Sequence, residues 1–240
     1  MRSRKRVVGI GLIAVLMAIL SACAARPAAT TYPVYIVDPP FNNERIRFKA
    51  GYEMLIRADR PWRIAVVIPH VKDDYWTGVL YGLTDAAKKL GVGIEILEAG
   101  GYEYLDVQRA QVKALITDLK PDGLIISAVS STGLSDLVEM AHAAGIPVVD
   151  LINGIESPFI SSRVASSFVD HGEIVGERIA QLADKMEGAV AVAWFPGPDG
   201  AGWVAAANKG LMDVLAGTAI TVHGPYYGDT GHSNDYGIHR

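Results

Sequence analysis

The sequence predicts an α/β protein made of two successive runs of βα units, and three observations carry that expectation. Short apolar runs recur from Arg63 onward, each bounded by Gly or Pro. Stretches of helical length separate them. The apolar runs are four to seven residues long, so a parallel sheet of βαβ units is expected.

The elements follow in order. Arg2, Arg4, Lys5 and Arg6 precede an apolar run over 7–20 (VVGIGLIAVLMAIL), and small residues come next. This is the order of a secretory signal, expected over 1–22. A run of 14 is short for a membrane span, which takes about 20 residues. A retained anchor is the alternative. Leu20-Ser21-Ala22-Cys23 resembles the bacterial lipobox, which implies cleavage before Cys23 and acyl chains, palmitate among them, on its sulfur. Each buried acyl CH₂ adds about 0.8 kcal/mol to membrane binding. Cys23 is the only cysteine, so the chain can build neither an internal disulfide nor a cysteine-based zinc site.

Residues 23–60 are expected to be a tether and an N-terminal arm. Four prolines lie within 24–40 and favour an extended, poorly packed chain, while 41–60 mix charges with Phe41, Phe48 and Tyr52. A first lobe is expected over 61–160. Its strands are RIAVVIP (63–69), VGIEILE (92–98), GLIIS (123–127) and IPVVDL (146–151), with helices over 75–90, 105–119 and 133–144. Gly91 and Gly145 sit where helix-terminating glycines belong. The pattern restarts with RVASS (163–167), a helix over 169–186, AVAVAWF (189–195), a helix over 203–216 and a strand over 220–223. These make an incomplete second lobe over 161–231, before an irregular polar tail over 232–240.

Composition excludes several function classes. The formal charge is −4, and removing the four basic leader residues leaves 18 basic against 26 acidic, or about −8. A body of that sign repels phosphate backbones, and no basic stripe offsets it, so nucleic acid is a poor partner. Gly197–Gly202 precedes a helix and offers backbone N–H groups to an anion, but it lacks the Gly-Lys-Ser/Thr ending of a phosphate loop. There is no GxGxxG after the first strand, no GxSxG elbow and no HExxH. His232 and His239 stand near Asp229 and Asp235, but they read better as a polar tail than as metal ligands. Neither a metal nor a cofactor is expected, and catalysis has no constellation to stand on.

The first βα unit, RIAVVIP–HVKDDYW–TGVLYGLTDAAKKLGV, resembles that of the type I periplasmic binding proteins. The likeness sharpens at EAGGY (98–102), PDGLIISAVSSTGL (121–134), GIPVVDLINGI (145–155), FPGPDGAG (195–202) and GDTG (228–231). These segments resemble the branch that senses trimethylamine N-oxide and presents its liganded state to a membrane sensor histidine kinase. The resemblance implies a two-lobed fold, no enzymatic activity, and a ligand held by Asp73, Tyr75 and Trp76. A second-lobe tryptophan of the pattern falls at Phe168, which has no N–H donor, and a further aromatic of the pattern falls beyond Arg240.

Trimethylamine N-oxide carries a positive nitrogen wrapped in methyls and one strongly accepting oxygen. Aromatic faces attract such a cation by about 0.5–2 kcal/mol each. Tyr75, Trp76 and Phe168 are candidate walls at the mouth of the interlobe gap, Asp73 a candidate counter-charge, and Tyr102 or Tyr75 a candidate donor to the oxygen. Each residue also has a plainer reading. Tyr75 and Trp76 open a helix and would pack a neighbouring loop, Phe168 would be core, and Tyr102 would cap the lobe. Asp199, in Pro-Asp-Gly, suits a turn as well as a site, and Asn153 reads as a hinge turn. Loops 70–76, 99–104, 128–132 and 196–202 all follow strands and should meet at one edge. Two other function classes stay open: an ABC-permease receptor for a sugar or other small polar solute, and a fragment of such a receptor without a ligand.

Overall fold

The computed structural model describes residues 31–37 and 47–230. The signal segment, Cys23 and the tail over 232–240, with His232 and His239, lie outside the described residues. The first described elements are β1 (Thr31–Val37) and β2 (Arg47–Glu53), which pair antiparallel. Part of the expected tether is therefore a strand. Pro33 is accommodated because a two-stranded ribbon is all edge, where a missing N–H costs little.

The first lobe is a five-stranded parallel sheet. Its strands are β3 (Arg63–Ile68), β4 (Gly93–Glu98), β5 (Gly123–Ile126), β6 (Val148–Leu151) and β7 (Ser162–Val164), in spatial order β4-β3-β5-β6-β7. Helices α1 (Asp74–Leu90), α2 (Leu105–Ala114) and α3 (Ser135–Ala143) connect them. Strand β7 is a correction to the sequence reading. The run expected to open the second lobe instead pairs with β6 and forms the far edge of the first sheet. Buried Asp150 on β6 holds it there, accepting from Arg163 Nε of β7 and from the Ile155 backbone N–H at 2.9 Å. Burial pushes the Asp150 carboxyl pKa up, against the pull of Arg163.

Strand β3 shows why the sheet is covered on both faces. Ala65, Val66, Val67 and Ile68 are all fully buried. Ala65 and Val67 join the core formed with α2 and α3, while Val66 and Ile68 join Trp76 on the α1 side. Burying a Val or Ile side chain contributes about 1.5–3 kcal/mol, so this one strand anchors both layers.

Helix α1 begins where Asp73 Oδ1 accepts from Trp76 N at 3.0 Å, and it ends on Gly91 at φ 75°. Helix α2 runs to the expected limit, but its last turn, Leu115–Leu119, is a π turn closed by Lys120 N donating to Leu115 O at 2.8 Å.

The second lobe holds α4 (Phe168–Ala183), β8 (Ala191–Ala193), α5 (Gly202–Leu215) and β9 (Thr221–His223). β8 and β9 pair parallel. The two helices cross very closely. A Cβ on Gly172 would lie 2.1 Å from Ala207 O, and one on Gly210 would lie 2.0 Å from Val169 O.

Candidate functional site

In an open α/β sheet, ligands collect at the carboxyl ends of the strands, where the strand order reverses. Here the order reverses at β3, with β4 on one side and β5 on the other. A cavity of about 200 Å³ opens beside that point, lined by Asp73, Tyr75, Trp76, Tyr102, Ile152, Asn153, Phe168, Trp203 and Thr230. Every one of these residues follows the carboxyl end of a strand, and both lobes contribute.

Three helix N-termini converge on the cavity. Tyr75 and Trp76 lie in the first turn of α1, Phe168 opens α4, and Trp203 is the second residue of α5. Helix N-termini carry partial positive charge and favour an electron-rich group nearby. Asp73 is the one carboxylate of the lining. One of its oxygens is occupied by the α1 cap.

The rings pack in two groups, joined behind the cavity by His70. Tyr75 meets Trp76 edge-on at 5.5 Å, Tyr102 meets Trp203 at 6.5 Å, and Phe168 meets Trp203 at 5.6 Å. Trp76 is only 2 % exposed and packs on Val66 and Ile68. The sequence reading sets Trp76 at the mouth of the gap, whereas the structure sets it in the buried floor of the cavity. Tyr75, 54 % exposed, stands at the rim.

The polar groups are few and largely fixed. Asn153 is buried and donates from Nδ2 to Ala128 O at 2.8 Å and to Tyr102 Oη at 3.1 Å. Because its oxygen accepts from Asn153, the Tyr102 hydroxyl is left with a hydrogen to donate. Burial pushes the Tyr102 pKa up to about 12, keeping it a neutral donor. The buried Trp203 Nε1–H meets no acceptor in hydrogen-bond geometry, although it stands near enough to Tyr102 to offset part of that upward shift. An unpartnered buried donor costs about 1–3 kcal/mol, which a ligand acceptor would recover.

Below the floor lies His70, fully buried, edge-on to Trp76 at 6.2 Å and to Tyr102 at 5.6 Å. Its Nε2 stands 3.3 Å from Thr230 Oγ1, across the lobes. Burial lowers its pKa, against the pull of Asp73 and Asp229. Two further contacts join the lobes: Lys72 Nζ with Asp229 Oδ2 at 3.4 Å, and Ser131 N donating to Gly200 O at 3.1 Å.

The structure thus gathers five of the six sequence-derived ligand candidates: Asp73, Tyr75, Trp76, Tyr102 and Phe168. Asp199 is not among them, since it sits in its turn with Oδ1 accepting from Gly200 N at 2.9 Å. Asn153, read as a turn residue, lines the cavity, as do Trp203, Ile152 and Thr230. The Gly-rich segment before Trp203 was the available signal for Trp203. Gly202 lets α5 press on the Asn153 carbonyl, where a Cβ would come within 2.7 Å. A wider, shallow groove of about 620 Å³ lies between β4 and α2, away from the strand ends. Among the described residues, no cluster of three or more His, Cys, Asp or Glu could hold a metal ion.

Comparison with known proteins agrees with this geometry. The periplasmic binding protein domain family matches residues 64–235. Periplasmic protein TorT of Escherichia coli O157:H7 is 33 % identical over 195 residues, covering 80 % of this chain and 54 % of TorT. The ribose import binding protein RbsB of Bacillus subtilis is 27 % identical over 155 residues, covering 65 % of this chain and 49 % of RbsB. A solved ABC transporter solute binding protein from Bradyrhizobium sp. BTAi1, with bound bis-tris, is 43 % identical at a TM-score of 0.65, covering 84 % of this chain and 60 % of that one. The chain spans about half the length of the curated relatives it matches. With a parallel sheet ordered β4-β3-β5-β6-β7, a cavity at its switch point and a family match over 64–235, the chain belongs to the periplasmic binding proteins, a family of solute-binding proteins with the type I two-lobed fold.

Proposed function

We propose that this chain is the binding body of a periplasmic receptor that closes its lobes on a small methylated amine oxide of the trimethylamine N-oxide type. The closed form is read by a membrane sensor histidine kinase, and acyl chains on Cys23 tether the body to the membrane. The observation that carries the ligand reading is the cavity itself, about 200 Å³ with five aromatic side chains, one carboxylate and two spare donors. A methylated cationic nitrogen suits the faces of Trp76, Phe168 and Tyr75, with Asp73 balancing its charge. An oxide oxygen suits the Tyr102 hydroxyl and the Trp203 N–H. Phe168, in place of the tryptophan of the pattern, keeps a ring face there and forgoes a donor. The likeness to TorT supports the signalling role. Bis-tris, bound to the 43 % identical relative, is both a tertiary amine and a polyol, so it is compatible with an amine or a sugar-like ligand.

The likeness to RbsB favours a second reading, a receptor delivering a sugar to an ABC permease. A sugar presents several hydroxyls, each needing a partner when buried. Asn153 and Asp73 already spend much of their capacity on the protein, so the lining suits a ligand with one polar end better.

Thermal unfolding separates the readings. A ligand at about 100 times its Kd adds roughly 2.7 kcal/mol of stability. Trimethylamine N-oxide should raise the melting temperature saturably at concentrations too low for general osmolyte stabilisation, while ribose and glucose should leave it unchanged. The reverse pattern would establish the sugar receptor, and a flat response to both would sink both.

A further inference from the structure

The β1–β2 hairpin carries a segregation of side chains that solute binding does not use. In an antiparallel pair, directly opposed residues share a face, and the faces alternate along each strand. The register opposes Tyr32 to Tyr52, Val34 to Ala50 and Ile36 to Phe48. One face is therefore wholly apolar and aromatic. The other mixes Pro33 and Val37 with Thr31, Tyr35, Arg47, Lys49 and Glu53, and Arg47 and Lys49 stack over the Tyr35 ring at 5.0 and 5.9 Å.

The apolar face is open. Tyr32, Ile36, Phe48 and Tyr52 are 43–57 % exposed. Such a ribbon cannot bury this surface by itself, and large exposed apolar patches mark interaction sites. The mixed face is tied to the body instead, through Arg47 and Asp170 of α4 at 2.8 Å.

We propose that the aromatic face of this hairpin seats in the headgroup layer of the bilayer and holds the binding body down beside its anchor. The proposal rests on the reading of Cys23 as the lipid-bearing residue. Thr31 is eight residues from Cys23. Eight residues reach at most about 28 Å, so the hairpin stays within a short distance of the acyl chains whatever path the tether takes. Tyrosine, with an apolar ring and a wet hydroxyl, is the side chain favoured at that depth. Two of the four exposed rings and chains on this face are tyrosines.

The test uses the full chain, processed and reconstituted in vesicles of phosphatidylethanolamine and phosphatidylglycerol. With Cys23 acylated, a cysteine introduced by Ile36→Cys or Lys49→Cys is the sole thiol for a nitroxide label. The label at position 36 should collide several-fold more with oxygen than with a water-soluble nickel chelate, and the label at 49 should show the opposite ratio. If the chelate reaches 36 as readily as 49, the face is in water and the proposal falls. If neither reagent reaches 36, protein covers the face (a second copy or a partner) and the proposal also falls. Vesicle flotation separates the two ideas. A chain that floats with a water-exposed position 36 keeps its anchor and loses only the seat, whereas one that fails to float loses both.

Discussion

In the proposed ligand reading, two donors face the oxide oxygen, and both come from side chains whose rings already pack. Tyr102 offers its hydroxyl because Asn153 occupies its oxygen, and Trp203 offers an indole N–H with no acceptor of its own. Tyr102→Phe and Trp203→Phe each remove a donor and keep a ring. Each should weaken amine-oxide binding by about 1 kcal/mol, or about fivefold in Kd, by titration calorimetry. The melting temperature without ligand should fall little, since Asn153 keeps its bond to Ala128. The ionisation of Tyr102 adds a pH signature. Its folded pKa is about 12 against an ordinary value of 10. The unfolded chain therefore loses this proton first as pH rises. The stability tied to the neutral phenol is complete below pH 10 and is lost progressively up to about 12. Ultraviolet titration should find one tyrosine ionising near pH 12, missing in Tyr102→Phe, and that variant should show a shallower fall in stability across the same window.

At the scale of elements, glycines separate packing from propensity. Gly172 and Gly210 allow α4 and α5 to touch backbone to backbone, and a methyl on either would collide with a carbonyl oxygen. Gly172→Ala or Gly210→Ala should destabilise the second lobe by at least about 1–3 kcal/mol, as overpacking does. In α1, by contrast, a Cβ on Gly78 or Gly82 meets nothing within 4 Å. There Gly→Ala should stabilise by about 0.5–1 kcal/mol, because only the helix cost of glycine changes. Denaturant melts of the four variants check both signs together. The same contrast explains what was legible in the sequence. Strand β3, helix α1 and the glycine ends of α1 and α3 follow from local pattern, because burial on both faces and capping leave their mark within a few residues. Strand β7 was legible as a strand but its place in the first sheet was not, since all three of its residues are exposed and that place depends on Asp150 and Arg163 meeting across the fold. The hairpin was hidden by its prolines and by aromatics that no neighbour buries. Asp73, Tyr75 and Trp76 were legible as one segment, whereas Asn153 and Trp203 become site residues only when two lobes bring them together.

At the scale of the molecule, binding and closure are one equilibrium. A ligand touching both lobes favours the closed form, and its apparent Kd scales inversely with the fraction of chains competent to hold it. The contacts that join the lobes outside the ring wall are modest. Lys72 meets Asp229 at 3.4 Å, and Ser131 N–H meets the Gly200 carbonyl at 3.1 Å. A partly exposed ion pair is worth about 0.2–1 kcal/mol. Lys72 does not line the cavity, so Lys72→Met tests closure without touching the ligand. It should weaken binding by about 1.5–5-fold, mostly as faster dissociation in stopped flow. Raising ionic strength should narrow the gap between Lys72→Met and the unmodified chain, because salt screens the pair that only the latter possesses. The first lobe has its own two-layered core, so its unfolding should be unchanged. Equal dissociation rates at low salt would show that the aromatic wall alone sets the lifetime of the closed state. The Lys72–Asp229 pair would then be a consequence of closure, contributing nothing to its stability.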